Sequence, residues 1–359
     1  MIVTFYSIAF ILSVIMSMVY LCMWHKHFDV HITIVFVVAP VINLGYVMLA
    51  KAQSLDAALF ANQITYLGGC FLLPFIMLSV LQLCRINSDR RINVFVIVIS
   101  TLIYLSSLTI GISTIFYKSV DIKFVNGTAE LVKTYGPLHT LFYVMMVIYF
   151  LVSMIVTVYS FFRKIDVSNK IVIRLFITEF ITIVAFFGGR AITKEIEFVP
   201  MVYVIDQIIY LTIVHRMCLY DIMDTGMESL VQSGDTGLIS FDFKYRYLGS
   251  NRTAMNIFPQ LYDVKVDTSI EGNKDLENTI LVWIKEFEKN RNNNKFPYND
   301  RDKSYFIEIN YLYDGKHKKG YQIFIKDNTR EQEYIAMLNK YNANLQNKLD
   351  ELYTAKGNK

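Results

Sequence analysis

The sequence has few of the residues that build metal centres and disulfide frameworks. Its 359 residues include only four cysteines and six histidines. No Cys-x-x-Cys pair occurs, and no cysteine and histidine cluster has metal-ligand spacing. We therefore expect neither a zinc site nor a structural disulfide, and we interpret the cysteines as free thiols in apolar surroundings. They are Cys22, Cys70, Cys84 and Cys218, all within or beside apolar segments.

Charged residues are also scarce, at 18% of the chain, and the net charge is only +4. No basic run resembles the lysine and arginine stripe of a nucleic-acid-binding surface, so we do not expect nucleic acid as a partner. Hydrophobic residues, in contrast, make up 54% of the chain, and the mean hydropathy is +0.36. A soluble globular protein of this size has no reason to be so apolar. Insertion into a lipid bilayer is the first hypothesis.

The long apolar runs end at Arg216, beyond which lysine, aspartate, glutamate and asparagine dominate. A transmembrane helix needs about 20 mostly apolar residues. The sequence therefore predicts an α-helical membrane bundle of seven transmembrane helices. The first has no basic start and no clear cleavage site, so we interpret it as a retained helix. The segments are roughly 2–24, 31–50, 57–83, 93–112, 139–162, 171–190 and 198–215.

The lysines and arginines between these segments predict the orientation, because such residues are enriched on the cytoplasmic side. The inside loops hold a small excess of them if the amino terminus lies outside. The longest outside loop also dilutes its basic residues over more positions. We therefore expect the amino terminus outside and, after seven helices, the carboxyl terminus in the cytoplasm. The inside basic residues are Lys26, Arg85, Arg90, Arg91, Arg163, Lys164, Lys170 and Arg216.

The rest of the chain has the pattern of a small cytoplasmic α/β domain behind an amphipathic connector, 217–235. The turn at Gly234-Asp235 precedes the first strand. The first of the last two strands alternates with period two, which places Tyr305, Ile307, Ile309 and Tyr311 on one face. The turn that begins at Asp314-Gly315 joins the two strands in a predicted antiparallel hairpin. We expect one domain, 236–327, with an antiparallel sheet. The predicted strands are 238–243, 245–249, 304–313 and 320–326, and the predicted helices are 251–261 and 275–290.

The tail, 328–359, has the spacing of a coiled-coil helix. Its apolar positions alternate by three and four residues over about two and a half heptads. Asn342 occupies one a-type position, where a polar residue fixes register and pairing in parallel coiled coils. We therefore expect a homodimer through this helix. The seam is Ile335, Leu338, Asn342, Leu345, Leu349 and Leu352.

Several short motifs follow one another along the first 225 residues. QITYLG (63–68) and FLLPF (71–75) lie in the third helix, and YGPL (135–138) precedes the fifth. A further motif runs from Asp206 through Arg216 to LYD (219–221), after the seventh helix. In this order they resemble the seven-helix amino-terminal sensor region of bacterial histidine kinases and cyclic-di-GMP enzymes. The resemblance implies a multi-pass protein of the bacterial inner membrane. Because it is bacterial, the glycosylation-like triplet at 126–128 receives little weight.

The cytoplasmic part resembles a PAS domain over residues 226–327, through TGLISFD (236–242) and YLGSNRTA (247–254). The hairpin that runs into KDNT (326–329) is similar to the usual PAS exit into a signalling helix. Such proteins normally continue into a kinase, a diguanylate cyclase or an HD-type phosphodiesterase. No histidine lies beyond His317, and no GGDEF-like run or glycine-rich nucleotide loop occurs. We therefore expect no catalytic activity of its own.

We expect no cofactor in the PAS-like domain. All four cysteines lie outside it, so no thiol is available for a flavin adduct. Its single histidine, His317, lies between lysines in a predicted turn and is a poor haem ligand. A small apolar ligand inside the domain stays open, but a plain dimerising, signal-passing domain is the favoured interpretation.

Polar groups at membrane depth are the candidate ligand-binding residues, because an unsatisfied polar group in lipid is costly. We expect an outward-facing pocket for a small polar ligand of unidentified chemistry. The alternative is that the same groups form interhelical hydrogen bonds that only hold the bundle together. The candidates are Asn43, Gln63 and Tyr66 in the outer parts of the second and third helices, and Glu179, Asp206 and Gln207 near the middle of the sixth and seventh.

The predicted organisation is a seven-helix sensor domain (1–216), the connector (217–235), the PAS-like domain (236–327) and the coiled tail (328–359). The expected function is a membrane-bound sensor in which a ligand changes helix packing and the PAS-like domain passes the change to a partner or output module. Two alternatives stay open. One is the truncated sensory half of a cyclic-di-GMP phosphodiesterase, a diguanylate cyclase or a histidine kinase. The other is a seven-helix transporter, which the soluble domain disfavours.

Overall fold

The computed structural model describes residues 1–23, 29–125, 127–164, 166–189, 196–231, 236–300, 303–314 and 317–357. The chain divides into two units, Met1–Cys218 and Leu219–Lys359. Each unit contains a hydrophobic core of its own. The predicted turn at Gly234-Asp235 lies outside the described residues.

The first unit is a bundle of apolar helices. Six helices of the described chain are long and apolar enough to cross a membrane, which confirms a multi-pass membrane protein. Asp29, Ser54 and Asp89 begin three of them, and their side chains accept hydrogen bonds from the first free backbone N–H groups. The six are α1 (Ile2–Cys22), α2 (Val30–Lys51), α3 (Leu55–Leu83), α4 (Arg90–Ser107), α5 (Pro137–Arg163) and α6 (Asn169–Gly188).

The seventh predicted segment begins a longer helix, Val199–Val231, which lies across the boundary between the two units. It is not among the six apolar helices. Asp206, Gln207 and the basic His215-Arg216 make it less apolar than the others. That it forms a seventh span stays a prediction. This helix is α7.

Helix α3 contains a π-helical turn, Gly68–Leu72, at a point where it packs closely against other helices. The N–H of Leu73 donates to the carbonyl of Gly68, five residues back. A Cβ atom at Gly68 would lie 2.6 Å from the Tyr203 hydroxyl oxygen, and one at Gly69 would overlap the Phe142 ring. The helices that carry Tyr203 and Phe142 therefore lie close to the backbone of α3 at these two glycines.

The segment before α5 folds into a β-hairpin that the sequence analysis did not predict. Strands β1 (Tyr117–Val125) and β2 (Thr128–Tyr135) pair antiparallel. Gly127 in the turn has a φ of +76°, which glycine adopts at little cost. Asn-Gly between alternating residues is a strong hairpin signal, but the sequence analysis mentions it only as a glycosylation-like triplet of little weight. Asn126 itself lies outside the described residues.

The second unit has a five-stranded antiparallel sheet with the order β4-β3-β7-β6-β5. Four strands and the final hairpin were predicted. The fifth strand, β5, was missed because Pro297 and its polar neighbours are typical of a loop. Proline is tolerated there because β5 is an edge strand that pairs only with β6. The strands are β3 (Gly237–Asp242), β4 (Tyr247–Ser250), β5 (Lys295–Asp300), β6 (Lys303–Asp314) and β7 (His317–Asp327).

Helices supply the rest of the second unit. Helix α8 (Arg252–Ile257) and helix α9, residues 274–289, lie between β4 and β5. Ile307 and Ile309, on the predicted inner face of β6, are fully buried in the same core as Ile284 of α9. The final helix, α10 (Thr329–Gly357), contains the predicted seam. Four seam residues are 42–49% exposed in the single chain: Ile335, Leu338, Leu345 and Leu349.

Candidate functional site

Two of the predicted ligand-binding residues connect helices at separate places. The Asn43 side-chain N–H donates to the Ala9 carbonyl of α1 at 3.4 Å and to the Pro200 carbonyl of α7 at 3.3 Å. The Gln63 side-chain N–H donates to the Leu108 carbonyl, directly after α4, at 3.2 Å. Both contacts correspond to the interhelical alternative, and a ligand-binding role for either residue stays a prediction.

Gln207 and Tyr210 also hold α7 to its neighbours. The Gln207 side chain accepts a hydrogen bond from the Ser13 hydroxyl at 2.8 Å and donates one to the Ser17 hydroxyl at 3.1 Å. Tyr210 shares a hydrogen bond of 3.2 Å with Ser79 of α3. Gln207 therefore lies against α1, and it lines neither of the two cavities described below.

Glu179 and Asp206 lie together between α6 and α7. The Asp206 carboxyl accepts a hydrogen bond of 2.8 Å from the Thr182 hydroxyl on α6. Glu179 lies three residues before Thr182, on the same face of α6, and is within electrostatic range of Asp206. Both carboxyls are at least 98% buried, since their exposed fractions are 2% and 1%. Of the six predicted residues, these two are brought together most clearly.

Tyr66 lines a cavity of about 100 Å³ at the hairpin end of the bundle. A second cavity of about 310 Å³ lies next to it, between the hairpin, α1, α2 and the segment before α7. The two are adjacent, because five residues line both. These are Tyr46, Leu49, Lys133, Tyr135 and Glu197.

The shared wall carries opposite charges in fixed positions. The Lys133 ammonium donates to the Asn62 side-chain oxygen at 3.0 Å and lies 5.6 Å from the centre of the Tyr117 ring. The Glu197 backbone N–H donates to the Tyr6 hydroxyl at 3.0 Å, and its carboxyl lies beside the Tyr46 hydroxyl. A ligand there would meet a cationic group and an anionic group that are already held by the protein.

Aromatic side chains complete the wall of the smaller cavity. The Tyr66 hydroxyl shares a hydrogen bond with the Tyr117 hydroxyl, and the Tyr66 ring packs edge-on against Phe142 at 5.3 Å between centroids. His139 stacks on Tyr135 with 3.9 Å between centroids. The hairpin and the first turn of α5 are thereby fixed to α3.

The charged cavity residues were not among the sequence-based candidates. Those candidates are polar groups at membrane depth, whereas Lys133 lies on the hairpin and Glu197 lies directly before α7. The Asn126-Gly127 turn signal would have predicted the hairpin and brought Lys133 into consideration. Glu197 carries no comparable signal in the sequence.

The comparison with known families agrees with this architecture. A family model described as the N-terminal 7TM region of histidine kinase matches residues 5–223, more than half of the chain. The match includes the six apolar helices, the hairpin and the first part of α7. No curated protein and no solved structure matches the chain. The expected resemblance is confirmed, and the chain belongs to the family of histidine kinase amino-terminal 7TM regions.

Proposed function

We propose that the first unit binds a small polar molecule in the two cavities below the hairpin and that α7 transmits the effect of binding. Membership of the histidine kinase 7TM family supports a role in membrane sensing and signal transduction. The observation that carries the proposal is the lining of the smaller cavity. It contains hairpin residues together with Val199 and Tyr203 of α7. A ligand there would contact the beginning of the helix that leaves the first unit.

The chemistry of the lining supports a polar ligand with at least one charged group. Small-molecule sites are mostly apolar, with a few fixed polar groups that orient the ligand. Here Lys133 and Glu197 supply those groups, and the tyrosines Tyr6, Tyr46 and Tyr135 supply much of the remaining surface. The larger cavity has a volume of about 310 Å³, which is near the lower limit for small-molecule sites, about 300 Å³.

Tyr203 offers a physical route from the cavity into the bundle. Its ring is almost completely buried, and its hydroxyl packs against Gly68 in the π-helical turn of α3. π-Helical turns occur frequently at functional sites. A ligand can shift α7 only if it binds two helix packings with different affinity. Displacement of Tyr203 against the α3 turn would distinguish two such packings.

A cavity-filling substitution tests ligand binding. Ala129 on β2 is 9% exposed and lines the larger cavity, whereas Val132 on the same strand is 56% exposed and does not. The full chain in nanodiscs is screened by thermal unfolding against amino acids, simple amines and carboxylates. We expect one class to raise the Tm of wild type and of Val132→Phe by about 2–5 °C and to leave Ala129→Phe unchanged.

Two results of this screen would contradict the proposal. One is a wild-type chain that responds to none of the three compound classes. The other is an Ala129→Phe variant whose Tm rises as much as that of Val132→Phe, because the compound would then bind outside the cavity.

We propose that the hairpin lies outside the cell and the second unit in the cytoplasm. The basic residues of the predicted inside loops support this orientation. Asp121 is an exposed residue of β1. An Asp121→Cys variant, with the four native cysteines replaced by serine, is expected to react with a membrane-impermeant maleimide on intact cells. Reaction only after permeabilisation would reverse the orientation.

The second unit is proposed to be a PAS-like domain that passes the signal without a cofactor and without catalysis. Its first and last strands, β3 and β7, are neighbours in the middle of an antiparallel sheet. Asn251, from the PAS-like motif, joins β3 to α8. Its side-chain oxygen accepts from the Leu238 and Ala254 N–H groups at 2.9 and 3.0 Å. An experimental structure of residues 219–359 with another strand order would contradict this assignment.

The output is proposed to lie in a paired catalytic module, driven by α10 as a parallel coiled coil. The seam leucines are exposed in the single chain, and pairing would bury them. We expect residues 219–359 to sediment as a dimer and the double variant Leu345→Asp, Leu349→Asp to sediment as a monomer. The matched control Asn344→Asp, Asn347→Asp adds the same charge at exposed positions off the seam and should remain dimeric. A monomer in all three chains would exclude this role for α10.

A further inference from the structure

Three carboxylate oxygens inside the first unit have no hydrogen-bond partner among the described residues. They are both carboxyl oxygens of Glu179 and Oδ1 of Asp206. The two side chains are only 2% and 1% exposed, so water at the protein surface does not reach them. An unpaired buried acceptor is costly, and a buried charge at membrane depth is more so. The structure thus contains a polar site without an evident partner.

No basic side chain in the described part of the chain neutralises this pair. Within the described residues, neither carboxyl takes part in a salt bridge with lysine, arginine or histidine. The basic residue closest in sequence on α6, Arg174, donates instead to the Thr212 carbonyl at 3.3 Å. The site therefore attracts positive charge that the surrounding helices do not supply.

Protonation alone does not satisfy the three oxygens. Neither Glu179 oxygen has a hydrogen-bond partner among the described residues, and one added proton can occupy only one of the three oxygens. A bound cation, unlike a proton, contacts several oxygens at once. Carboxylate and hydroxyl oxygens are the ligands that hard cations prefer.

We propose that Glu179 and Asp206 bind one sodium ion between α6 and α7. Thr182 holds the second Asp206 oxygen at 2.8 Å, and Ser153 of α5 faces Glu179. Two neighbouring carboxyls in a dry site do not both ionise at neutral pH. The occupied site therefore carries one proton and one sodium ion, and its net charge is zero.

A divalent ion fits the site less well. The described part of the chain contains no group of three or more His, Cys, Asp and Glu side chains that is suited to a metal. Calcium takes six to eight oxygen ligands, and magnesium keeps several waters. Two carboxyls and two hydroxyls supply neither arrangement.

The sodium site is separate from the ligand cavities, because neither carboxyl lines them. It acts on the same helix, however. An ion shared by Glu179 and Asp206 would hold α7 to α6 and favour the packing in which the two helices are close. Sodium would therefore stabilise one state of the bundle whether or not a ligand occupies the hairpin end.

Thermal unfolding of the full chain in nanodiscs tests the site. Sodium chloride replaces choline chloride stepwise up to about 150 mM at constant ionic strength, and a parallel series uses potassium chloride. We expect sodium to raise the wild-type Tm by about 3 °C or more, with saturation, and potassium to raise it much less. Glu179→Gln and Asp206→Asn should lose most of this rise. Asp121→Asn, which removes an exposed hairpin carboxyl, should keep it.

The wild-type series decides the proposal even if a variant fails to fold. A Tm that responds equally to sodium, potassium and choline would overturn it, as would a Tm that responds to pH and not to sodium. A sodium response in Glu179→Gln equal to that of wild type would also overturn it. Glu179→Asp keeps a carboxylate and is expected to retain a weaker sodium response, which separates loss of the ion from loss of the fold.

Discussion

The hydrogen bonds of α7 are the constraint on which the first unit depends. In a bilayer, a polar side chain has to find its partners inside the protein, because lipid offers none. Gln207 reaches α1, Tyr210 reaches α3 and Asp206 reaches α6. A side chain of α2, Asn43, reaches the Pro200 carbonyl at the start of α7. Four neighbouring helices are thus held to one helix by polar contacts, and that helix continues to Val231.

This arrangement places the cavity at the hairpin end of the bundle next to the polar contacts of α7. The cavity lining ends at Val199 and Tyr203, one turn before the polar group Asp206. A change in the cavity and a change in the carboxyl pair therefore act on neighbouring turns of α7. Because each polar contact of α7 has its own partner, a small shift of the helix would exchange or break several of them together. Packed interfaces of this kind respond in discrete steps rather than by continuous deformation.

The sequence predicted the parts of the fold that depend on composition. Long apolar runs identify the six membrane helices, because a helix that spans lipid needs about 20 mostly apolar residues. The alternation around Ile307 and Ile309 identified the inner face of β6, and both residues are buried. Strand β5 was missed because Pro297 is typical of a loop, although an edge strand tolerates proline. The hairpin was missed because its Asn-Gly pair was not interpreted as a turn signal.

The candidate site was less accessible to sequence reasoning. The sequence singles out Glu179 and Asp206 as polar groups at membrane depth, and both are buried. Their closeness, however, depends on how α6 and α7 are rotated against each other. Gln207 follows Asp206 directly in sequence, yet the two side chains face different helices. Lys133 and Glu197 enter the cavity wall only because the hairpin folds against the helix ends. Helix rotation and loop folding are set by packing, which no local pattern encodes.

Hydrogen–deuterium exchange along α7 tests the central claim, that the hairpin cavity and α7 are mechanically coupled. The full chain in nanodiscs would be compared with Ala129→Phe, which fills the cavity, with Val132→Phe, and with Ala129→Phe combined with Gln207→Leu. We expect Ala129→Phe to change the exchange rate in the second half of α7, residues 217–231, and Val132→Phe to leave it as in wild type. The double variant Ala129→Phe, Gln207→Leu should show a different change in exchange from that of Ala129→Phe alone. Identical exchange in wild type and Ala129→Phe throughout α7 would contradict the claim.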